Sequence, residues 1–307
     1  MRKSLSAWAV LFTLAILVSG VAHAGSKWAE RSVLHETFDV EPGGMFRADV
    51  PDADLEIWPG SSGQIEIEVF LRSEDLDRAM EPFQDMNFRA DGGGSEVTLH
   101  ADSVRTSFHN YSIEVRVQLP QEFDLDLRTG DGDIHVEALE GTLAVRTSDG
   151  DVHIGAVHGP EATIKTSDGD IHVKELVATT IAVHTSDGDV MVQQIEGDEV
   201  EIKTSDGDID IDSASGAFLV STGDGDINIG IEQFDETTLK TGDGDISVRA
   251  DSTLRADLDL RGSEVVLRSG VAFEGRIEDD SAEGSLNGGG SMLRASSGDG
   301  SIVLSTR

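Results

Sequence analysis

The sequence predicts an all-β protein: a right-handed, single-chain parallel β-helix (β-solenoid) with coils of 18–19 residues and an irregular β-rich N-terminal cap. Three observations predict this fold class. A turn motif recurs at a nearly constant step, alternating apolar residues flank each copy, and no segment of the repetitive half has the length and period of a helix. Such short strands are not stable alone, so each coil must bury its apolar side against the next.

The turn motif has the form Thr-Ser/Gly-Asp-Gly-Asp followed by Ile or Val. Seven close copies, at steps of 18 or 19 residues, begin at Thr129, Thr147, Thr166, Thr185, Thr204, Thr222 and Thr241. An eighth copy begins at Ser297, and its Asp299 follows Asp243 by 56 positions. We interpret this distance as three steps of the same size, with two degenerate copies, at 262–265 and 283–286, as the intervening coils of the stack.

The residues around each turn predict which side chains face the core. In the third coil, Ile171 and Val173 alternate with polar residues, Leu176 is a further apolar position, and Ile181 and Val183 precede the next turn. This period of two with β-branched residues is typical of half-buried strands. Parallel crossovers are right-handed in nearly all proteins, and the turn glycines are expected to supply a positive φ.

The region before the repeat, 33–128, is less regular but also alternates, and we interpret it as the first coils plus a cap. Ser73 is expected to cap one short helix, which Pro82 should end or kink. At the other end, the strand at 302–304 has no coil after it in the sequence. We therefore expect either end-to-end self-association or cover from an earlier segment.

The chain begins like an exported protein. Arg2 and Lys3 precede an apolar run over 7–18, and a small-x-small cleavage site follows at 22–24. The predicted divisions are a signal peptide (1–24), irregular β-rich N-terminal coils and cap (25–128) and the regular repeat solenoid (129–307), with 25–307 forming one continuous solenoid domain. We expect a periplasmic, cell-surface or secreted protein that does not span the membrane after signal cleavage.

The charge of the chain restricts its partners. It has 23 basic and 59 acidic residues, for a net charge of −36, and no cysteine. Such a field repels nucleic acid and favours cations. The predicted partner is therefore an unknown macromolecule or a cell-envelope component, not a nucleic acid.

Stacking would turn the two aspartates of each motif into two acidic columns. Stacked carboxylates and turn carbonyls could bind calcium, so the candidate metal ligands are Asp149, Asp151, Asp168, Asp170, Asp187, Asp189, Asp206 and Asp208. The alternative is that these aspartates are turn residues whose side chains bind nearby backbone N–H groups. A basic column just before the threonines, which includes Arg146, Lys165 and Lys203, favours that alternative because it lies close to the acids.

Three histidines, His135, His153 and His172, occupy equivalent outward positions and could bind Zn²⁺ or Cu²⁺, although surface histidines in a polar column are the simpler interpretation. No catalytic residues and no cofactor are predicted besides the possible Ca²⁺. The acids are spread evenly over the coils, and no insertion builds a cleft in which a general base could act.

The sequence also resembles a known family. Glu36 to Val40, Pro42 to Gly44, the Leu119-Pro120 strand end and the repeated Thr-Ser-x-Gly-Asp-Ile are similar to domain of unknown function 4097. Its exported bacterial members carry the name "putative adhesin" and are related to the head-GIN domains. The resemblance implies a right-handed β-helix outside the cytoplasm, and it implies no catalytic residues.

These observations favour a non-enzymatic, adhesin-like scaffold or binding protein at the surface or in the periplasm. Two alternatives remain open at this point. One is a calcium-dependent binding protein that uses the stacked aspartates, and the other is a carbohydrate-active β-helix enzyme.

Overall fold

The computed structural model describes residues 28–105, 110–268 and 272–306. The predicted signal peptide lies outside these residues. The described part contains one helix, α1 (Leu76–Asp85), and twenty strands. The strands are β1 (Ala29–Asp49), β2 (Ala53–Pro59), β3 (Gln64–Ser73), β4 (Arg89–His100), β5 (Tyr111–Leu119), β6 (Phe123–Arg128), β7 (Ile134–Glu140), β8 (Leu143–Arg146), β9 (Val152–Lys165), β10 (Ile171–His184), β11 (Val190–Lys203), β12 (Ile209–Ser221), β13 (Ile227–Thr241), β14 (Ile246–Ala250), β15 (Ala256–Arg261), β16 (Glu264–Leu267), β17 (Phe273–Ile277), β18 (Ser281–Leu286), β19 (Ser291–Ser297) and β20 (Ser301–Thr306).

Residues 134–250, from β7 to β14, form what we call the regular stack. Each coil pairs in parallel with the coil before and after it, and equivalent residues of successive repeats face one another, such as Ile171 with Val152 and Val190. Strands β9, β10 and β11 bend at corners without losing this register, and each runs through most of a coil. Where β12 lies on β11 and β13 lies on β12, the register shifts between the two apolar segments of the coil. The predicted β-solenoid is therefore confirmed.

The core lies inside the coils. Ile171, Val173, Leu176, Ile181 and Val183, which the repeat pattern placed inward, are all buried. The same positions of the other coils join them in one continuous apolar cluster that extends from Val40 to Leu304. Burial of these ladders supplies the main stabilisation of strands that could not be stable singly.

At the N-terminal end, the coils do not follow one another in chain order. The segment 44–59 pairs on one side with β6 and β7, and on the other side with β4 and β5, which follow it in sequence. Beyond β5 the sheet continues with antiparallel pairing to β3 and then to the first half of β1. This antiparallel extension covers the end of the stack.

The C-terminal end also departs from the predicted order. Strands β19 and β20 lie directly on β13 and β14, although 56 residues separate Asp245 from Ser301. The first degenerate copy, 262–265, belongs to the coil outside them, because Glu264 and Val265 pair with Ser301 and Ile302. The second, 283–286, is part of β18, which runs antiparallel to β15. The interpretation of both segments as intervening coils was wrong, whereas the expected cover of the last strand by an earlier segment is confirmed.

The helix forms where expected, but its ends differ from the prediction. Asp75, not Ser73, caps it by accepting a hydrogen bond from the Arg78 backbone N–H. The Ser73 hydroxyl instead donates to the carbonyl of Asn110. Pro82 lies inside α1 and does not end it, because the helix continues to Asp85.

Candidate functional site

The turn glycines are required for close approach of neighbouring coils. A Cβ atom on Gly169 would lie 1.9 Å from the carbonyl oxygen of Gly150, and one on Gly188 would lie 2.0 Å from that of Gly169. Neither is among the residues with positive φ, so the predicted left-handed conformation of these glycines was wrong. The glycine column lets successive turns stack backbone against backbone.

Beside the glycines runs a buried threonine column that sequence reasoning did not assign. The Thr185 hydroxyl lies 3.1 Å from the carbonyl oxygen of Ser167 and 3.2 Å from that of Gly169, and it accepts a hydrogen bond from the Gly188 N–H. The same pattern recurs at Thr147, Thr166, Thr204, Thr222 and Thr241. The near-invariance of threonine at this position of the motif was the signal that could have revealed it.

The second aspartate of each motif forms a hydrogen-bonded ladder. A carboxylate oxygen of Asp170 accepts the backbone N–H of Asp189 at 2.8 Å, and Asp189 accepts that of Asp208 at 2.8 Å. The ladder ends where Asp245 accepts the N–H of Ser301. These side chains satisfy backbone donors at the turns, as the alternative to calcium ligation required.

The ladder begins with a copy of the motif that the sequence analysis missed. Asp54 accepts the N–H of Asp133 at 3.1 Å, and the carbonyl of Ala53 accepts the Thr129 hydroxyl at 3.0 Å. Residues 52–57, Asp-Ala-Asp-Leu-Glu-Ile, keep both aspartates and the apolar alternation but lack the glycine. Burial raises the pKa of Asp54 above its ordinary value, and the carboxylates of Asp133 and Glu114 raise it further.

The first aspartates of the motifs lie on the exposed side of the same turns. Asp149, Asp168, Asp187 and Asp206 are exposed, whereas Asp151, Asp170, Asp189 and Asp208 belong to the hydrogen-bonded ladder. Within 28–105, 110–268 and 272–306, no three His, Asp or Glu side chains form a group that could hold a metal ion. Calcium ligation by the eight aspartates stays a prediction.

The basic column exists, but its ion pairs are not with the turn aspartates. Arg128 and Arg146 both pair with Asp126, at 3.2 and 3.6 Å, and His184 and Lys203 both pair with Glu201. Over the described residues, no cation of this column lies within ion-pair distance of a turn carboxylate. The basic column thus lies just before the turns, but its ion pairs in the described residues are with strand carboxylates.

In the cluster of His184, Glu201 and Lys203, the pKa values of His184 and Glu201 are both shifted from their ordinary values. Burial lowers the pKa of His184 below its ordinary value, and the charges of Lys165 and Lys203 act in the same direction. The hydrogen bond from Lys203 lowers the pKa of Glu201. The three side chains are partly exposed, so the arrangement is that of a surface ion-pair cluster.

The three histidines lie in register on the outer face formed by the strands that follow the turns. His135 faces His153, and His153 faces His172. The ring centroids are 6.3 Å apart in the first pair and 4.8 Å apart in the second, where the rings are parallel to within 2°. The predicted stacking of these side chains is confirmed.

Two grooves on the described surface are open to solvent. One, of about 590 Å³, follows the histidines, and a second, of about 450 Å³, follows the corner at Gly159, Ala178, Gly197 and Gly216. No helix in the described ranges is both long and apolar enough to cross a membrane.

Comparison with known proteins assigns the chain to a family. A family model described as Toastrack DUF4097 matches residues 47–304, which is most of the chain. The chain belongs to the Toastrack DUF4097 family. The predicted resemblance to domain of unknown function 4097 is confirmed.

Two solved structures share this Toastrack fold. One is a putative adhesin from Parabacteroides merdae, 8% identical, with a TM-score of 0.53 over 89% of this chain and 95% of that one. The other is a putative adhesin from Parabacteroides distasonis, 12% identical, with a TM-score of 0.54 over 89% and 96%. At such identities the likeness shows the fold alone. No functionally curated protein matches the chain.

Proposed function

We propose that this Toastrack protein is an exported, non-enzymatic scaffold that binds a macromolecule of the cell envelope or its surroundings through one of its long faces. The observation that carries the proposal is the unbroken register of β9, β10 and β11, which repeats every outward position once per coil. The strands on either side of the turns stay in register through β12 and β13, and the register shifts only along the stretch between them. Within each column the side chain repeats about every 4.8 Å along the axis, and such a surface suits an extended partner that makes the same contact several times. The names of the two Parabacteroides proteins are consistent with this use.

The same surface argues against catalysis. An active site needs several different groups held around one reacting atom, in a place from which water can be excluded. Here equivalent side chains repeat along the axis, and both grooves are open. A carbohydrate-active enzyme would show turnover when the protein is incubated with envelope glycans, and we expect none.

The absence of cysteine makes the binding face directly testable. Single cysteines at Lys165, Ser186, Gln193 and Asp198 would place one thiol at each of four exposed positions along a coil: the end of the strand before a turn, the turn itself, the strand after it and the corner that follows. Each variant is coupled to a bulky maleimide–polyethylene glycol, and its binding to isolated cell envelopes is compared with that of the unlabelled protein. We expect one side to lose binding and the others to retain it. Equal binding by all four labelled proteins, or no binding by the unlabelled protein, would contradict the proposal.

The calcium-dependent alternative requires a different result. If carboxylates of neighbouring coils chelate calcium, millimolar calcium should raise the melting temperature in 0.15 M sodium, because a ligand of the folded state stabilises it. Replacing Asp168, Asp170, Asp187 and Asp189 by Asn should abolish that increase and preserve the turns. We expect little calcium-specific effect, because the second aspartate column already accepts backbone hydrogen bonds. A calcium shift above about 5 °C, lost in the Asn variant, would favour the alternative.

A further inference from the structure

One outward column, which runs from β2 into the regular stack, contains consecutive metal-binding residue types. From one coil to the next, the column presents Glu56, His135, His153, His172 and Met191 in register. We call these residues the donor column. A carboxylate, three imidazoles and a thioether in adjacent rungs are unlike the neighbouring columns, which are dominated by aspartate or by mixed polar residues.

The geometry is closest to chelation at His153 and His172. Their rings are parallel to within 2° and their centroids are 4.8 Å apart. Histidine nitrogens bind Zn²⁺ at about 2.0–2.1 Å, so two nitrogens that bind the same ion lie no more than about 4.1 Å apart. Chelation therefore requires the two rings to rotate about their side-chain torsions, away from the stacked arrangement, while the strand register need not change.

The surroundings of the two rings suit a cation. The Nδ1 atom of His172 is buried and has no hydrogen-bond partner among the described residues. Asp151 and Asp170, two residues before the histidines, stand on the turn side of the rings and add negative charge. Lys174, two residues after His172, carries an opposing charge, and the equivalent position of the coil before it is Gly155.

We propose that His153 and His172 bind a divalent transition-metal ion, Cu²⁺ or Zn²⁺, as two imidazole ligands from neighbouring coils. Imidazole nitrogen favours these ions, whereas Ca²⁺ and Mg²⁺ take oxygen ligands, so the site is distinct from the calcium hypothesis for the turn aspartates. Affinity follows the order in which Cu²⁺ exceeds Zn²⁺. The inference is independent of the proposed scaffold function, because it concerns a small ion and a single column.

The test is titration of the purified protein with ZnCl₂ and with CuCl₂ by isothermal calorimetry, with millimolar calcium present throughout. The variant combines His153→Asn and His172→Asn, which are outward changes and should leave the melting temperature of the metal-free protein unchanged. The matched control combines His35→Asn and His158→Asn. Each of these imidazoles lies on its own beside a glutamate, at 2.8 Å from Glu66 and 2.9 Å from Glu175.

We expect saturable binding of one ion by the unmodified protein and by the control, and affinity weakened about tenfold or more in the His153/His172 variant. Equal affinity in that variant, an equal loss in the control, or no saturable binding by the unmodified protein would overturn the site. Extending the column gives a second test, since Met191→His places a fourth imidazole beside His172. That variant should bind Zn²⁺ several-fold more tightly or take up a second ion, and unchanged binding would count against chelation between rungs.

Discussion

In the regular stack the order of the coils along the chain is their order in space, whereas at both ends that order is reversed. The coil at 44–59 is enclosed by coils that follow it, and β19 and β20 are enclosed by β13–β14 on one side and by β15–β16 on the other. The difference has a physical reason. A coil in the middle has neighbours on both sides, but a terminal coil leaves a row of unpaired backbone groups exposed.

Both ends cover that row in the same way. Antiparallel strands extend the sheet beyond the last coil, β3 and β1 at one end and β18 and β17 at the other. The outermost strands are poor templates for further pairing. The first half of β1 has an irregularity between Ser32 and Leu34, and the short β17 contains a glycine and two charged residues. Each feature is typical of protected sheet edges.

The largest expected difference between the two regions concerns glycine. In the stack, Gly169→Ala places a Cβ atom 1.9 Å from a neighbouring backbone oxygen that cannot move without separating two coils. At the N-terminal end, Gly43 has a φ of +74° and nothing within 4 Å of its Cβ position. We expect Gly169→Ala to destabilise by about 3 kcal/mol or more and Gly43→Ala by about 1–2 kcal/mol.

Chemical denaturation measures the loss of folding stability in each variant. Replacement by Asn then distinguishes a loss caused by backbone conformation from one caused by steric overlap. Asn tolerates the left-handed conformation, so Gly43→Asn should recover part of the loss, whereas Gly169→Asn should be at least as harmful as Gly169→Ala. Recovery at position 169 would show that conformation, and not clearance, selects glycine in the stack.

This contrast also shows where prediction from the sequence succeeded and where it could not. The inward positions, such as Ile171 and Val183, follow from a local period of two, and burial confirms them. The role of Gly169 depends on the coil beneath it, which the local sequence does not contain. The distance of 56 residues between Asp243 and Asp299 equals three repeat steps, but spacing alone cannot distinguish stacked coils from an excursion that returns to the same place.

In the candidate sites, too, some features could be predicted from the repeat and others could not. Stacking of His153 and His172 follows from the repeat, because equal positions in successive coils must be neighbours. The pairing of Arg146 with Asp126 does not, since it depends on which rotamers of two long side chains meet across coils. The degenerate turn at 52–57 was hidden because alanine replaces the glycine that marks the motif.

Replacement of buried threonines by valine should give the next largest change in folding stability, and the change should have opposite signs at Thr185 and Thr237. Thr185 bonds carbonyls of the coil beneath and accepts the Gly188 N–H, whereas Thr237 is fully buried and its hydroxyl has no partner among the described residues. We expect Thr185→Val to destabilise by about 1–3 kcal/mol, because it leaves a buried N–H unsatisfied. Thr237→Val removes an unsatisfied group and should stabilise by about 1 kcal/mol.

Thermal unfolding of the two isosteric variants is the measurement. Thr237 is the fitting comparison because its register neighbours, Phe218 and Leu293, are apolar. Two shifts of the same sign would mean that the hydroxyl network of the stack contributes no specific stabilisation.

Alanine substitutions in the two aspartate columns should differ by a smaller amount in their effect on folding stability. Asp170→Ala removes the acceptor of the Asp189 N–H and should cost about 1 kcal/mol, because this turn is partly exposed and water replaces some of the lost bond. The exposed Asp168 carboxylate accepts no hydrogen bond from the described residues, so Asp168→Ala should be nearly neutral. Denaturant midpoints in 0.15 M and 1 M NaCl measure both changes. A larger loss for Asp168→Ala would show that the exposed column has a structural role that the hydrogen bonds do not reveal.

The smallest expected effect is a pH dependence localised to His184 in the regular stack. Burial lowers the pKa of this imidazole, so the folded protein holds fewer protons on it than the unfolded chain does between the two pKa values. Stability therefore falls as the pH drops through about 6.5, the ordinary value for histidine, and the loss is complete below the folded pKa. A single such group contributes a slope of at most about 1.4 kcal/mol per pH unit.

Replacing His184 by Gln should flatten the stability profile in this window, measured by urea unfolding at a series of pH values. Glu201 has a pKa lowered by Lys203, so its contribution is lost only as the pH falls through the more acidic range of carboxylates, and the two windows can be separated. Glu201→Gln is the control, because it should change the pKa of His184 without removing the imidazole. The charge of Glu201 raises the pKa of His184, so its removal should lower that pKa further and extend the loss of stability to lower pH. A profile that is unchanged in His184→Gln and in Glu201→Gln would show that the protons taken up on acid unfolding bind elsewhere, in the aspartate columns or at the ends.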